Sequence, residues 1–485
     1  MQQLQTTKAA SLWSHFLNIC AIPHPSKHEQ QLINWITLWA KEKNISCVQD
    51  KAGNLILRKP ASKGYEEKTP VILQAHLDMV PQKNNNIDHD FLTDPITPII
   101  TEGWLHADNT TLGADNGIGM ASCLAVLADN SLEHGPLEVL LTIDEETGMT
   151  GAFALQADTL EGKVLINTDS EQEGELYVGC AGGVNVNINF PYEKMQTEPT
   201  DKAYEISIEG LQGGHSGCDI NLKRGNAIKI LANVLHNLDA IPFHLAFLEG
   251  GSLRNAIPRE AYAVIVCDQQ YENSLDILIN NLQLDLQRKF KQSEDNLQLC
   301  VKSSELPLCI LTSQAQTDFL NCLQGCENGV FTMDENFSDV VQTSSNLGVV
   351  TQKQCGQNSF DIQVLIRSQI EQEKQQYADK IIKHFKQYGA ICHKEGDYPG
   401  WKPNCNSSIY KVMNEQYSKL FNKKPDTMVI HAGLECGLFS SKYPHWDMIS
   451  FGPTIKFPHS PKEKVEIASV DKYWQLLVAT LKAID

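Results

Sequence analysis

Leu140-Leu141-Thr142-Ile143-Asp144-Glu145-Glu146-Thr147-Gly148 joins a short apolar run to three consecutive carboxylic acids and a glycine. The apolar part reads as a buried strand and the acids as the place where the chain leaves a sheet. Adjacent like charges repel and gain nothing from burial, so they call for a compensating charge. A divalent metal both neutralises carboxylates and uses them as ligands. A solvated acidic turn is the plainer reading, and the other strand ends decide between the two.

Those ends repeat the pattern. Val71-Ile72-Leu73-Gln74-Ala75-His76-Leu77-Asp78 stops at a histidine and an aspartate, and Val164-Leu165-Ile166-Asn167-Thr168-Asp169 stops at an acid. Thr111-Leu112-Gly113-Ala114-Asp115-Asn116-Gly117 presents Asp115 just before a predicted helix, 118–127, whose small residues suit close packing on a sheet. That loop lacks the Lys-Ser/Thr ending of a P-loop, which excludes a phosphate cradle of that kind. A last strand, 448–451, leads to Pro458-His459-Ser460-Pro461. Strands alternating with helices predict an α/β sheet, and sites in such sheets lie beyond the carboxyl ends of the strands. All five places can therefore face one crevice. Two imidazoles and several carboxylates suit zinc or a similar ion, in an open dinuclear site with one bridging carboxylate.

Around this centre, 8–19 and 27–43 read as amphipathic helices, the second opened by Ser26 and Glu29 at capping-box spacing. Residues 54–58 read as a strand, and 84–108, rich in Asn, Asp and Pro, as a surface excursion. After the glycine-rich 179–183 the pattern becomes α+β. Strands are predicted at 204–210, 243–247, 261–267 and near 297–302, 345–351 and 360–367. Helices are predicted at 225–238, 274–291, 313–323 and 371–388. This material reads as a separate antiparallel domain, long enough for two similar lobes. Tyr398-Pro399-Gly400-Trp401 reads as a hinge. Beyond it a helix at 408–421, a loop at 431–437 and a closing helix at 468–483 resume the α/β style. The expected organisation is one domain, 1–183 plus 402–485, interrupted by another, 184–401, although 485 residues alone suggest about three.

Composition narrows the partners. A 42% hydrophobic content supports proper cores, and a formal net charge of -19 argues against nucleic acid and anionic membrane surfaces. No run has the length of a transmembrane helix, and residues 1–14 lack the apolar core of a signal peptide. Fourteen scattered cysteines without a Cys-x-x-Cys pair read as reduced thiols in a cytoplasmic protein.

His76-Leu77-Asp78-Met79-Val80, Gly113-Ala114-Asp115-Asn116, Asp144-Glu145-Glu146-Thr147-Gly148, Asn167-Thr168-Asp169 and Pro458-His459-Ser460 occur in that order. Together they resemble the dinuclear zinc peptidases of the aminoacylase and glutamate-carboxypeptidase family, and the likeness spans essentially the whole chain. The resemblance implies a zinc-peptidase-like mixed-sheet catalytic domain interrupted by an inserted α+β lid and dimerisation domain. It implies that His76, Asp115, Glu146, Asp169 and His459 bind two zinc ions per subunit, with Asp115 bridging and manganese or cobalt able to substitute. Asp78 would orient His76, Glu145 would be the general base, and Asp144 would have a structural part. His215, in Gly213-Gly214-His215-Ser216-Gly217, matches a lid histidine that contacts the scissile carbonyl. Asn255 and Arg367 match substrate-holding residues, and Gly433 lies in a loop that in relatives meets the substrate carboxylate.

Ala75 stands where many members have glycine, and Asn116-Gly117 replaces a common Asp-x-Lys-Gly arrangement, which favours a dipeptidase branch. The implied activity is hydrolysis of Xaa-His dipeptides such as β-alanyl-histidine, and of other unblocked dipeptides, by a homodimer joined through the lid. An N-acyl amino acid deacylase and a non-catalytic metal-binding scaffold are the alternatives. A scaffold has no need of Glu145.

Overall fold

The computed structural model describes residues 1–84, 86–335, 337, 339–353 and 358–485. The chain divides into two compact units. The first comprises Met1–Cys180, Trp401–Val429 and Leu434–Asp485, and the second Ala181–Gly400 with Ile430–Gly433. Length suggests one more because it does not anticipate how much of the insertion shares a single sheet.

The first unit is built on an eight-stranded mixed sheet. Four central strands run parallel, in the order Leu137–Thr142, Val71–His76, Val164–Asn167 and Asp447–Ser450. The first three are buried along their whole length, as expected of strands covered on both faces. Antiparallel strands extend the sheet outward, Leu55–Lys59 and Ser46–Gln49 on one side and Glu175–Cys180 on the other. Helix Ala114–Ala128 packs on Val71–His76 and on helix Ala10–Cys20. A Cβ on Gly119 would overlap the Asn116 and Thr168 side chains, so this glycine permits the close helix-to-sheet approach. Helices Ser408–Phe421 and Ile467–Ala483 pack on one another.

Three local expectations give way here. The segment 84–108 is no bare excursion: it contains the hairpin Pro98–Thr101 and Trp104–Ala107, which joins Lys464–Glu466 and Ile455–Lys456 in a four-stranded sheet. The polar sequence hid strands whose partners lie some 360 positions away, as in Leu105 opposite Val465. Ser26 and Glu29 form no capping box. Ser26 Oγ donates to Asp78 Oδ2 at 2.7 Å, and Glu29 Oε1 accepts from the main chain of Lys27 and Asp144 at 3.0 Å. The helix begins at Gln30. The stretch read as a loop to residue 437 turns helical at Glu435, in Glu435–Lys442.

The second unit holds a nine-stranded sheet in which every recorded pairing is antiparallel. Helices Ala227–His236, Glu272–Lys289, Ser313–Gly325 and Glu371–Lys386 contribute to one core with it. The two lobes allowed by length are halves of this one sheet, joined where Gly250 pairs with Val350. Three strands of this sheet escaped the sequence pattern, Gly182–Pro191, Gly329–Met333 and Ile391–Tyr398. Among the described residues, no helix is long and apolar enough to cross a membrane.

Candidate active site

Register brings the strand ends together. His76 lies opposite Thr142, and Gln74 lies opposite Asn167, so the segments carrying Asp78, Glu145, Glu146 and Asp169 leave the sheet side by side. Helix Ala114–Ala128 supplies Asp115 from a first turn whose Asp115 and Asn116 depart from helical dihedrals. His459 comes from the loop after the last parallel strand and has a positive φ of 57°, as does Phe457. Non-glycine residues held in that region cost of order 1–3 kcal/mol each and collect at functional sites.

The side chains converge. His76 is buried, with Nε2 3.3 Å from Asp115 Oδ1 and from Asp169 Oδ1. His459 Nε2 lies 3.2 Å from Asp115 Oδ2 and 3.0 Å from Glu146 Oε2. Asp115 therefore offers one oxygen to each imidazole. Each of His76, Asp115 and Glu146 offers one atom able to ligate a metal, and these atoms all fall within 4.8 Å of one another. Asp78 takes the opposite side of His76: its Oδ1 is 3.3 Å from Nδ1 and accepts the Glu145 N–H at 3.0 Å. Asp78 Oδ2 accepts the Glu146 N–H at 3.2 Å. Asp144, at φ 54°, accepts from the Thr147 and Thr150 hydroxyls and shapes the turn.

The electrostatics are those of an acid-rich pocket. Among the described residues, the recorded ion pairs of Asp78, Asp115, Glu146 and Asp169 are all to histidine. Burial and the charge of Asp115 push Glu146 up to about 7. Burial raises Glu145 well above the usual carboxylate range, His76 opposing and Asp169, Glu146 and Glu435 reinforcing. Burial opposes ionisation of Asp115 as well, yet hydrogen bonds to His459 and His76 hold it far below its ordinary value. Glu146 Oε1 is buried without a partner. An orphaned carboxylate oxygen in a cluster of acids and imidazoles is the donor set that a divalent cation satisfies.

Three further acids belong to this centre and escaped the sequence reading. Glu435 is fully buried; its Oε2 accepts from Gln74 Nε2 at 2.6 Å and Thr142 Oγ1 at 2.7 Å. Gln74 accepts in turn from Asn167 Nδ2 at 2.5 Å, so one polar network ties together the three strands that lead to His76, Glu145 and Asp169. Glu171 is pushed up to about 8 by burial and by Asp115 and Asp169. Glu463 gathers main-chain N–H groups from the Asp115 loop. A lone acid in the small and apolar run Gly433-Leu434-Glu435-Cys436-Gly437-Leu438 was the available signal for Glu435.

The second unit has its own cluster. Arg367 is buried; its Nη1 donates to the Tyr398 hydroxyl at 2.9 Å, and Ser216 Oγ and His215 Nε2 lie 3.5 Å from the guanidinium. His215 Nδ1 accepts main-chain N–H groups from Gly217 at 3.2 Å and Cys218 at 3.1 Å. Burial, then the charge of Arg367, lowers His215 to about 4. The neutral ring therefore carries its proton on Nε2, where it is a donor. His431 Nε2 meets Ser344 Oγ at 2.8 Å, and burial beside Arg367 lowers this ring to about 3. Gly433 is packed under the Tyr398 ring, where a Cβ would come within 3.0 Å of Cε2. Asn255 is exposed, and its carbonyl accepts the Ser216 N–H at 2.8 Å.

A family model described as Peptidase family M20/M25/M40 matches residues 72–483. The chain belongs to this family. As an M20 peptidase it is 46% identical to the cytosol non-specific dipeptidase of Escherichia coli strain K12, over 100% of this chain and 99% of that one. The crystal structure of aminoacylhistidine dipeptidase from Vibrio alginolyticus superposes with a TM-score of 0.90 at 45% identity, covering 100% of this chain and 99% of that one. Aminopeptidase PepT from Bacillus cereus, at 17% identity, a TM-score of 0.58 and 99% coverage of both chains, shares the fold. The M20 family is metal-dependent, which accords with the acid-rich centre. The resemblance carried by the five motifs thus agrees with the whole-chain match.

Proposed function

We propose that this M20 peptidase is a dinuclear zinc dipeptidase acting on Xaa-His dipeptides such as β-alanyl-histidine and on other unblocked dipeptides. The observation that carries the reading is Asp115, whose two oxygens face His76 and His459 separately. In this reading His76 and Asp169 hold one ion, His459 and Glu146 the other, and Asp115 both. Two divalent ions held there supply Lewis acidity and lower the pKa of water toward neutrality. Glu145, raised by burial and not needed as a ligand, takes the proton from the attacking water and delivers it to the leaving amine.

His215, neutral and protonated on Nε2, donates to the oxygen of the scissile carbonyl. Arg367, oriented by Tyr398, binds the free carboxylate of the dipeptide, with Asn255 and the Gly433 loop completing substrate recognition. The dipeptidase names of the Escherichia coli and Vibrio alginolyticus relatives support this substrate class. A cytoplasmic homodimer joined through the second unit is part of the same reading.

The test is a substrate panel on metal-stripped protein reloaded with zinc, manganese or cobalt. Hydrolysis of Xaa-His and other free dipeptides in preference to tripeptides and N-acetyl amino acids is expected. Preference for N-acetyl amino acids makes it a deacylase instead, and metal uptake without hydrolysis of any of them refutes the enzyme. Light scattering of the loaded protein reads the dimer.

A further inference from the structure

We propose that Glu463 is a positioning residue for the dinuclear centre, locking the loop of Asp115 to the loop of His459. This rests on the reading of Asp115 as the ligand shared by two ions.

The Glu463 carboxylate is buried and accepts four consecutive main-chain N–H groups. Oε2 takes those of Leu112 at 2.9 Å and Gly113 at 3.1 Å, and Oε1 those of Ala114 at 2.7 Å and Asp115 at 3.2 Å. The opening N–H groups of a helix have no partner within it, and here the non-helical dihedrals of Asp115 lengthen the unsatisfied stretch. A carboxylate is the strongest neutraliser of such donors, through charge-assisted bonds and the positive end of the helix. The loop cannot be satisfied by its own side chains: the helix has no side-chain cap, and Gly113 sits at φ 69° with a would-be Cβ 2.9 Å from Met79 Sδ.

What makes the clamp more than a cap is its origin. Glu463 lies four residues after His459 and next to the strand Lys464–Glu466, which is anchored on Trp104–Ala107. Its N–H donates to Ser460 O at 2.9 Å, closing the turn that follows His459. One carboxylate therefore fixes the main chain of Asp115 relative to His459, while Asp115 Oδ2 meets the His459 ring at 3.2 Å. Asp78 does the same on the other side, accepting the N–H groups of Glu145 and Glu146 while flanking His76. A site whose ligands come from five separated segments needs such ties to hold two ions at a fixed spacing.

The experiment loads metal-stripped full-length protein with manganese and reads affinity by chelator competition and the exchange-coupled signal of a manganese pair by electron paramagnetic resonance. Wild type should take up two ions and show the coupled signal. E463Q keeps the side-chain size but sets an amide where charge met four donors. It should lose the coupled signal and bind the second ion about 10- to 100-fold more weakly. E463D, charged but one methylene shorter, is read the same way and decides the matter should E463Q not fold.

E294Q is the control, because Glu294 is a buried acid of the second unit that likewise accepts main-chain N–H groups, from Gln212 and Gly225. It should lower the melting temperature and leave manganese binding unchanged. E463Q binding two manganese ions with wild-type affinity and coupling overturns the proposal and leaves the dinuclear reading intact. Wild type that binds no pair overturns that reading, and this inference with it.

Discussion

The main-chain N–H of Glu145 donates to Asp78 Oδ1 over 3.0 Å, so the proposed proton acceptor is anchored through its backbone by the carboxylate that flanks His76. Burial works against the charge on Asp78, but hydrogen bonds from His76, Ser26 and the Glu145 N–H hold it below the ordinary carboxylate range. Asp78→Asn keeps the shape and turns one acceptor into a donor facing other donors. The expected result is a 10- to 100-fold loss of metal affinity or of kcat/KM in a folded protein. Chelator competition and steady-state kinetics check it, and a wild-type value in both refutes the role.

Glu145→Ala separates chemistry from metal binding. The side chain is read as the proton carrier, and its neighbour Glu146 as the ligand facing His459 at 3.0 Å. Metal content should remain at the wild-type level while kcat falls about 100- to 10,000-fold, the usual range for a general base. Inductively coupled plasma analysis and single-turnover rates are the measurements. Loss of metal together with activity would assign Glu145 to the ions instead.

Without metal, the acid cluster should make the protein less stable as pH rises. Burial, then neighbouring carboxylates, pushes Glu171 up to about 8 and Glu146 up to about 7; burial likewise takes Glu435 to about 8. Between the unfolded carboxyl value near 4.5 and these folded values, the native state binds more protons than the unfolded state. Stability therefore falls with rising pH across that window. His76 acts in the same direction. Burial opposes its charge, but Asp169, Asp115 and Asp78 raise it well above 6.5, so its stabilisation is complete below 6.5 and lost as pH climbs through the folded value. Asp78 and Asp115 are depressed and already ionised through this range. The melting temperature of metal-stripped protein should drop from pH 5.5 to 8, and added zinc should remove most of that slope. Zinc uptake should release protons from the histidines, read by calorimetry in buffers of different ionisation enthalpy. A flat apo profile would contradict the account.

How much of this was legible in the sequence follows from the range of each interaction. Apolar runs ending in His76, Glu145 and Asp169 were readable because strand burial and strand termination are local features. The parallel register that sets those ends side by side pairs runs distant in the chain, and the runs alone do not fix it. Ser26 and Glu29 misled because capping-box spacing is also local, whereas their partners, Asp78 and the Asp144 N–H, arrive from elsewhere in the chain. Ile391–Tyr398 was missed because it is a mostly exposed edge strand whose Lys394, Glu395 and Asp397 break the apolar alternation. Glu463 stands between two lysines, Lys462-Glu463-Lys464, and carries no local mark of burial. Its four donors lie some 350 positions away, and no spacing rule reaches that far.

Arg367 offers the sharpest test of substrate recognition. It is buried in the second unit, and the groups around its guanidinium are uncharged: the Tyr398 hydroxyl to which it donates, the Ser216 hydroxyl and the neutral His215 ring. A buried guanidinium so placed is electrostatically incomplete and is suited to a carboxylate from outside. If it binds the dipeptide terminus, Arg367→Ala should lower kcat/KM for a free dipeptide by about 1.5–3 kcal/mol, roughly 10- to 150-fold. For the same dipeptide with its carboxyl amidated, wild type should already be slow and the substitution should change little. Arg367→Lys should recover only part of the loss, because an ammonium cannot reproduce the planar fork that Tyr398 orients. Equal losses on free and amidated substrates would show that Arg367 holds the fold of its unit rather than the substrate. A gain on the amide alone would place the carboxylate contact elsewhere.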